Sequence, residues 1–274
     1  MNRLSVYVAV AAGMAATSMA HADVFSSINS MDAAGTRWYN DYPGSTLVVT
    51  NGGLPSVRIQ DSNFVGGNFT NRHHVALAHN GARYDFGNGS QSFQLDVDVT
   101  INGTLPARAE AGIWAGKAPN WPSSAGADVG NFVCLPDNGG EIAAFGGGLP
   151  FFSNNQPPNA GMARSVRGVT THLTMLYTTS AFGSSINYGV NGVFTGNQAY
   201  TDGLGNPLAN GLFASTVAGG PLLVGVYVQG PNGGPVNSGT IDVTFGNISI
   251  VIPGPGSASL LGMGGLLAAR RRRR

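Results

Sequence analysis

Hydrophobic and polar positions alternate most regularly over residues 92–101, where Phe93, Leu95, Val97, Val99 and Ile101 are interleaved with Gln94, Asp96, Asp98 and Thr100. A period of two is that of a β-strand with one buried and one wet face. The pattern resumes over 108–115, with Ala109, Ala111 and Ile113 set between Arg108, Glu110, Gly112 and Trp114. The short connection at 102–107 predicts that these two strands form a hairpin. Further strands are expected at 47–50, 57–60, 73–78, 170–178 and 184–190. Asn191-Gly192, between Val190 and Val193, supplies the residues of a type I′ turn, whose two central positions need positive φ. Residues 222–228 are apolar on both faces, as a central strand is. In the last strand Ile241, Val243 and Phe245 alternate, then Ile248 and Ile250 resume out of phase, which predicts a β-bulge at Gly246-Asn247. The stretch 116–168 is rich in Gly, Pro and Asn and is expected to carry long loops around two short apolar runs, 132–135 and 142–145. About ten antiparallel strands, with no helical period of useful length among them, predict an all-β antiparallel sandwich.

Composition fits that reading, with 42 glycines, 15 prolines and only 10% charged residues. The formal charge of +1 hides an uneven distribution. Arg3 and the five terminal arginines take six of the fourteen basic residues, so 23–252 holds eight against thirteen acidic ones, a net −5. A mildly acidic stretch with scattered charge argues against nucleic acid as a partner. The single cysteine, Cys134, excludes a disulfide within the chain, and its setting in Phe132-Val133-Cys134-Leu135 is that of a small buried hydrophobe.

The two ends bear on destination. Residues 1–22 carry Arg3, an apolar stretch through Met19, and Ala20-His21-Ala22 ahead of Asp23. That is the order of a Sec-type signal peptide, cut by signal peptidase after Ala22. At the other end Pro253-Gly254-Pro255 leads into the uncharged run 256–269 and then Arg270, Arg271, Arg272, Arg273 and Arg274. As a helix that run spans about 21 Å, short of the ~30 Å hydrocarbon core, and a helical start at a proline with snorkelling arginines closes the gap. Arginines directly after an apolar segment stay cytoplasmic, so the bulk of the chain is expected outside. The proline pair, short apolar helix and arginine cluster resemble the PEP-CTERM sorting signal of Gram-negative bacteria, over residues 252–274. The resemblance implies a transient inner-membrane anchor, processing near the prolines by an exosortase, a membrane protease-transpeptidase, and delivery to the cell surface or the medium. Pro253 and Pro255 match the motif prolines, 260–269 the helix and Arg270 to Arg274 the basic end, while Gly254 stands where the family has glutamate. The expected layout is a signal peptide at 1–22, a β-sandwich at 23–252 and a sorting signal at 253–274.

Within the sandwich, Phe93-Gln-Leu-Asp-Val-Asp-Val with Ala111-Gly-Ile-Trp-Ala-Gly, Ile186-Asn-Tyr-Gly-Val-Asn-Gly, Gly225-Val-Tyr-Val and the last strand resemble the concanavalin A-like, laminin G-like jelly roll, over residues 45–250.

If 92–101 and 108–115 pair, Asp96, Asp98, Arg108, Glu110 and Trp114 share a face. Asp98 and Glu110 at about 5–5.5 Å beside an aromatic ring are what a retaining glycosidase needs. The glucanases of the fold carry Glu-x-Asp-x-Glu on one strand, which is missing here, and a solvated face neutralised by Arg108 explains the same residues. Saccharide binding asks only for aromatic faces and a few polar groups, which Trp114 and Trp121 with Asn120, Asp128 and Asn131 supply. No cofactor is called for; calcium is the one ion whose oxygen donors are present, at Asp128 and Asp137, where Asx-Gly sequences also make simple turns. His73 and His74 point to opposite faces of a strand and do not share a metal. The expectation is an exported, non-catalytic sandwich that binds extracellular polysaccharide or builds the matrix. A carbohydrate-active enzyme of hydrolase or lyase type is the alternative.

Overall fold

The computed structural model describes residues 23–25, 30–31, 46–51, 56–62, 72–79, 82–84, 86, 91–102, 109–117, 129–146, 149–180, 183–196, 198–199, 222–230 and 240–252. The chain divides into two compact units, Val24–Ile252, and Met1–Asp23 with Pro253–Arg274. Of the second, only Asp23 is described. The expected signal peptide and sorting signal, with Ala20, Ala22, Pro253, Gly254, Pro255 and the arginines, therefore lie outside the described residues, as do Arg108, Asn120, Trp121 and Asp128.

The described residues are strand, turn and bend, with no helix among them. The strands are β1 (Asp23–Phe25), β2 (Ser30–Met31), β3 (Thr46–Asn51), β4 (Val57–Ser62), β5 (Arg72–His79), β6 (Ala82–Arg83), β7 (Phe93–Asn102), β8 (Glu110–Lys117), β9 (Val129–Leu135), β10 (Glu141–Gly146), β11 (Phe152–Ser153), β12 (Thr171–Ser180), β13 (Gly183–Val190), β14 (Val193–Phe194), β15 (Gln198–Ala199), β16 (Leu222–Gln229) and β17 (Thr240–Ile252). Among the described residues they form two antiparallel sheets. One has nine strands in the order β14-β13-β12-β7-β17-β4-β3, with β1 beside β17 and β15 beside β13. The other has eight, β11-β10-β9-β8-β16-β5-β2, with β6 beside β5.

Alternation explains why the sheets stack. The odd-numbered side chains of β7, Phe93 to Ile101, enter a single buried cluster with Leu173, Met175 and Tyr177 of β12 and Ile241, Val243 and Phe245 of β17. The same cluster contains Ala111, Ile113 and Ala115 of β8, Phe132 and Cys134 of β9 and Val224, Val226 and Val228 of β16. Apolar faces of both sheets are thus removed from water together, the main stabilising term of a sandwich. Two polar groups join this core from opposite sheets. Asp61 of β4 and His73 of β5 are fully buried and meet at 2.7 Å between Oδ2 and Nε2.

Several sequence expectations are met in detail. Asn191 and Gly192 have φ of 48° and 79°, the two positive values of the turn that joins β13 to β14. β16 lies between β8 and β5 and is buried on both faces. The pairing of β17 with β7 shifts register between Gly246 and Ser249, where Asn247 takes φ 45°. His73 faces the inter-sheet core and His74 the opposite side of β5.

One expectation is corrected. β7 and β8 do not form a hairpin: β7 pairs with β12 and β17, and β8 with β16 and β9, in the other sheet. Alternation fixes which face of each strand is apolar, and both apolar faces reach the core equally well from opposite sheets. The stretch 116–168 does carry a long loop, with residues 154–168 in turns, bends and irregular backbone. The runs expected at 132–135 and 142–145 belong to β9 and β10, which pair from Glu141↔Leu135 to Gly146↔Gly130.

Candidate functional site

The even-numbered residues of β8 face away from the inter-sheet core, and there they meet the corresponding residues of three neighbours. Cross-strand register sets Tyr227 beside His74 and Gly112, Gln229 beside Glu110, and Trp114 between Gly225 and Asn131. A second buried cluster, containing Ala76, Trp114, Val129, Val133, Leu223 and Tyr227, surrounds this polar group. Glycine is required at two positions. A Cβ at Gly225 would lie 2.0 Å from Val75 O and 2.5 Å from Trp114 Nε1, and one at Gly112 would lie 2.1 Å from Phe132 O. The indole thus lies across Gly225, its Nε1 donating to Val75 O at 3.3 Å.

The rings and polar groups are in contact. The His74 imidazole is tilted on Tyr227 at 4.5 Å between centroids and stands edge-on to Trp114 at 5.4 Å. Its Nε2 is 3.1 Å from Asn131 Oδ1, an acceptor, which places a proton on Nε2. The Tyr227 hydroxyl donates to Glu110 Oε1 at 2.6 Å and also reaches the Gln229 side-chain oxygen. A phenol has one proton, so the two acceptors share it or take it in turn. This face therefore gathers an indole, a phenol, an imidazole, two amides and a carboxylate, all buried except the partly open Glu110. Sugars are recognised by such groups, with rings against C–H faces and amides or carboxylates against hydroxyls.

Trp114 is where the sequence reading wanted an aromatic platform, but it is fully buried. Its indole is fixed by packing and by Val75; His74, Asn131, Tyr227 and Gln229 around it are buried as well, and of this group Glu110 alone is partly open. His74, Tyr227 and Gln229 were missed in the sequence. They come from strands more than a hundred residues apart in part, and no local spacing signals them.

The other predicted residues lie elsewhere. Asp96 and Asp98 are on the outer face of the nine-stranded sheet, opposite His172 and Thr174 of β12. Asp98 accepts from His172 Nδ1 at 2.7 Å and from Asn247 Nδ2 at 2.6 Å. Asp96 accepts from Thr174 Oγ1 at 2.6 Å and Gln94 Nε2 at 2.7 Å. Each carboxylate is thus held by cross-strand donors, as on a satisfied solvated sheet face. Both sheets and the core separate Asp98 from Glu110, and the sheet spacing alone is about 10 Å. The proposed pair of catalytic carboxylates is not assembled.

Asp137 lies in the turn between β9 and β10 and does not present a free carboxylate to calcium. Both its oxygens are taken by the Arg167 guanidinium, Oδ1 from Nε at 2.7 Å, and Oδ2 also accepts from Ala109 N at 3.3 Å. Glu141 accepts from Asn138 Nδ2 and Ser153 Oγ, each at 2.6 Å. Among the described residues no group of three or more His, Cys, Asp or Glu side chains is arranged to hold a metal ion.

No family model matches the chain, and no curated protein matches it. Among solved structures it is similar to a sialidase at 12% identity and TM-score 0.39, over 76% of this chain and 17% of that one. The chain thus spans 17% of the sialidase's length. It is also similar to an alginate lyase from Chlorella virus at 12% identity and TM-score 0.40, over 76% of this chain and 88% of that one. A third likeness is to peanut lectin, at 10% identity and TM-score 0.41, over 78% and 95% of the two chains.

Proposed function

We propose that this chain is an exported surface protein whose β-sandwich, of the concanavalin A-like jelly-roll kind, binds extracellular polysaccharide on the outer face of its eight-stranded sheet. The observation that carries the reading is the convergence of His74, Asn131, Glu110, Tyr227 and Gln229 beside Trp114 on one sheet face. The opposite sheet turns outward a lattice of paired threonine, aspartate, asparagine and histidine side chains, with no Trp, Tyr or Phe in that lattice among the described residues. Export follows the two chain ends: signal peptidase acts after Ala22, and an exosortase-like protease acts at Pro253-Gly254-Pro255 while the tail anchors the protein in the inner membrane.

The test is a glycan array probed with the purified full-length chain and its Tyr227→Phe and Glu110→Gln variants. These two substitutions remove hydrogen-bonding capacity and keep the volume, whereas Trp114→Ala would cost about 3–5 kcal/mol of stability and confuse binding with folding. Saturable binding weakened about tenfold in both variants is expected. Failure of the wild-type chain to bind any glycan would leave a structural surface protein.

A second reading, a carbohydrate-active enzyme, is favoured by one detail. The Tyr227 proton sits within reach of the Glu110 carboxylate, with His74 against the ring, an arrangement able to take and return a proton. Cleavage of a bound glycan by the wild-type chain, abolished in Tyr227→Phe while binding survives, would select this reading over the first.

A further inference from the structure

At the end of the sandwich where β9 turns into β10, a cleft of about 400 Å³ opens between Pro136, Gly139 and Gly140 on one side and residues 164–167 on the other. Its two walls are locked together. Ser165 N donates to Gly140 O at 3.0 Å, and a Cβ at Gly140 would lie 2.7 Å from Ser165 O. Two arginines line it, and they are in different states. Arg167 is spent on the Asp137 carboxylate and, through Nη1, on Asn102 O at 3.0 Å. Arg164 has no carboxylate partner among the described residues. Its Nη1 donates to Gly139 O at 2.6 Å and to Asn155 Oδ1 at 2.8 Å, which uses both hydrogens on that nitrogen.

What remains on Arg164 is the edge formed by Nε and Nη2. That edge presents parallel N–H groups at the spacing of two oxygens of one oxyanion. The guanidinium is already oriented by Gly139 and Asn155, so little conformational freedom is lost when an anion docks. Beside it are the apolar surfaces of Pro136 and of Val166, which is 54% exposed. A fixed cation next to a small apolar wall, in a cleft near the lower end of the size range of ligand sites, suits one charged sugar unit. The cleft also adjoins the polysaccharide face, since Asp137 accepts from Ala109 N, one residue before Glu110.

We propose that this cleft binds an acidic polysaccharide through the carboxylate or sulfate group of one sugar unit, held side-on by Arg164 Nε and Nη2. The proposal rests on the polysaccharide-binding reading and names the ligand's charge.

Calorimetric titration of the full-length chain with four probes tests it: a short oligogalacturonate, its methyl ester, a sulfated cello-oligosaccharide and the unsulfated parent. The wild-type chain is expected to prefer a charged probe over its neutral counterpart. Arg164→Gln should weaken that probe about tenfold or more and leave neutral probes unchanged. Arg164→Lys, which keeps the charge and loses the fork, should fall between. Loss confined to the carboxylated or the sulfated arm identifies the oxyanion. Equal affinity for charged and neutral probes, or an Arg164→Gln variant that binds the charged probe like wild type, overturns the proposal and leaves the polysaccharide reading standing. Absence of binding to all four overturns the proposal, and the glycan array then decides whether the polysaccharide reading falls with it.

Discussion

Cys134 sits in the core with its thiol shielded from water, 1% exposed. Burial pushes the thiol up from 9.0 to about 12, and hydrogen bonds from Ser165 and Thr171 pull it partly back. Burial likewise pushes the Tyr84 phenol up from 10.0 to about 12. In both cases the folded value lies above the unfolded one, so the folded state holds its proton where the unfolded state releases it. Their contribution to stability is complete below the unfolded values and is lost as pH rises from 9.0 towards about 12. Melting temperatures measured across that range should fall, and Cys134→Ala should flatten the part of the slope that begins near 9.0. The thiolate is the reactive form, so a thiol reagent at about pH 8 should label Cys134 only after denaturant is added. Rapid labelling of the native chain would contradict its burial.

β8 and β16 show what an element demands of its neighbours. Trp114 and Gly225 are cross-strand partners, and the indole occupies the space a Cβ at 225 would need. Gly225→Ala is therefore expected to destabilise the protein by about 3 kcal/mol or more, whereas Gly161→Ala, with nothing within 4 Å, should be close to neutral. Thermal melts of the two variants side by side check this, and equal melting temperatures would count against the packing described for Trp114. The same strands mark the limit of the sequence pattern. Alternation correctly assigned the inward residues of β7, and Asn191-Gly192 and Gly246-Asn247 correctly announced a turn and a bulge, because each is a local backbone requirement. The partners of β7 are β12, which begins at Thr171, and β17, which begins at Thr240, and no local preference records a pairing over those distances. Reading β7 and β8 as a hairpin moved Asp98 next to Glu110. The site was legible only where it was local: Glu110 and Trp114 do share a face, but His74, Tyr227 and Gln229 join them through register alone.

On the scale of the whole molecule, delivery and fold are separate questions with separate tests. Replacing Arg270 to Arg274 by neutral residues removes the charge expected to hold the tail's basic end in the cytoplasm. The precursor should then shift from the membrane fraction, read by fractionation and immunoblot, and an unchanged distribution would count against a sorting role. The sandwich itself carries another constraint. β17 is the last strand in the described chain, yet in the nine-stranded sheet it lies between β7 and β4. β7 already has β12 and β4 already has β3, but neither has its second partner until residues 240–252 have been synthesised. A nascent chain interrupted earlier exposes two unpaired strand edges in the middle of its larger sheet, which is the template for aggregation and an invitation to proteases. Closure of that sheet thus waits on residues 240–252, so its two halves, each with one open edge, are held apart until that strand arrives.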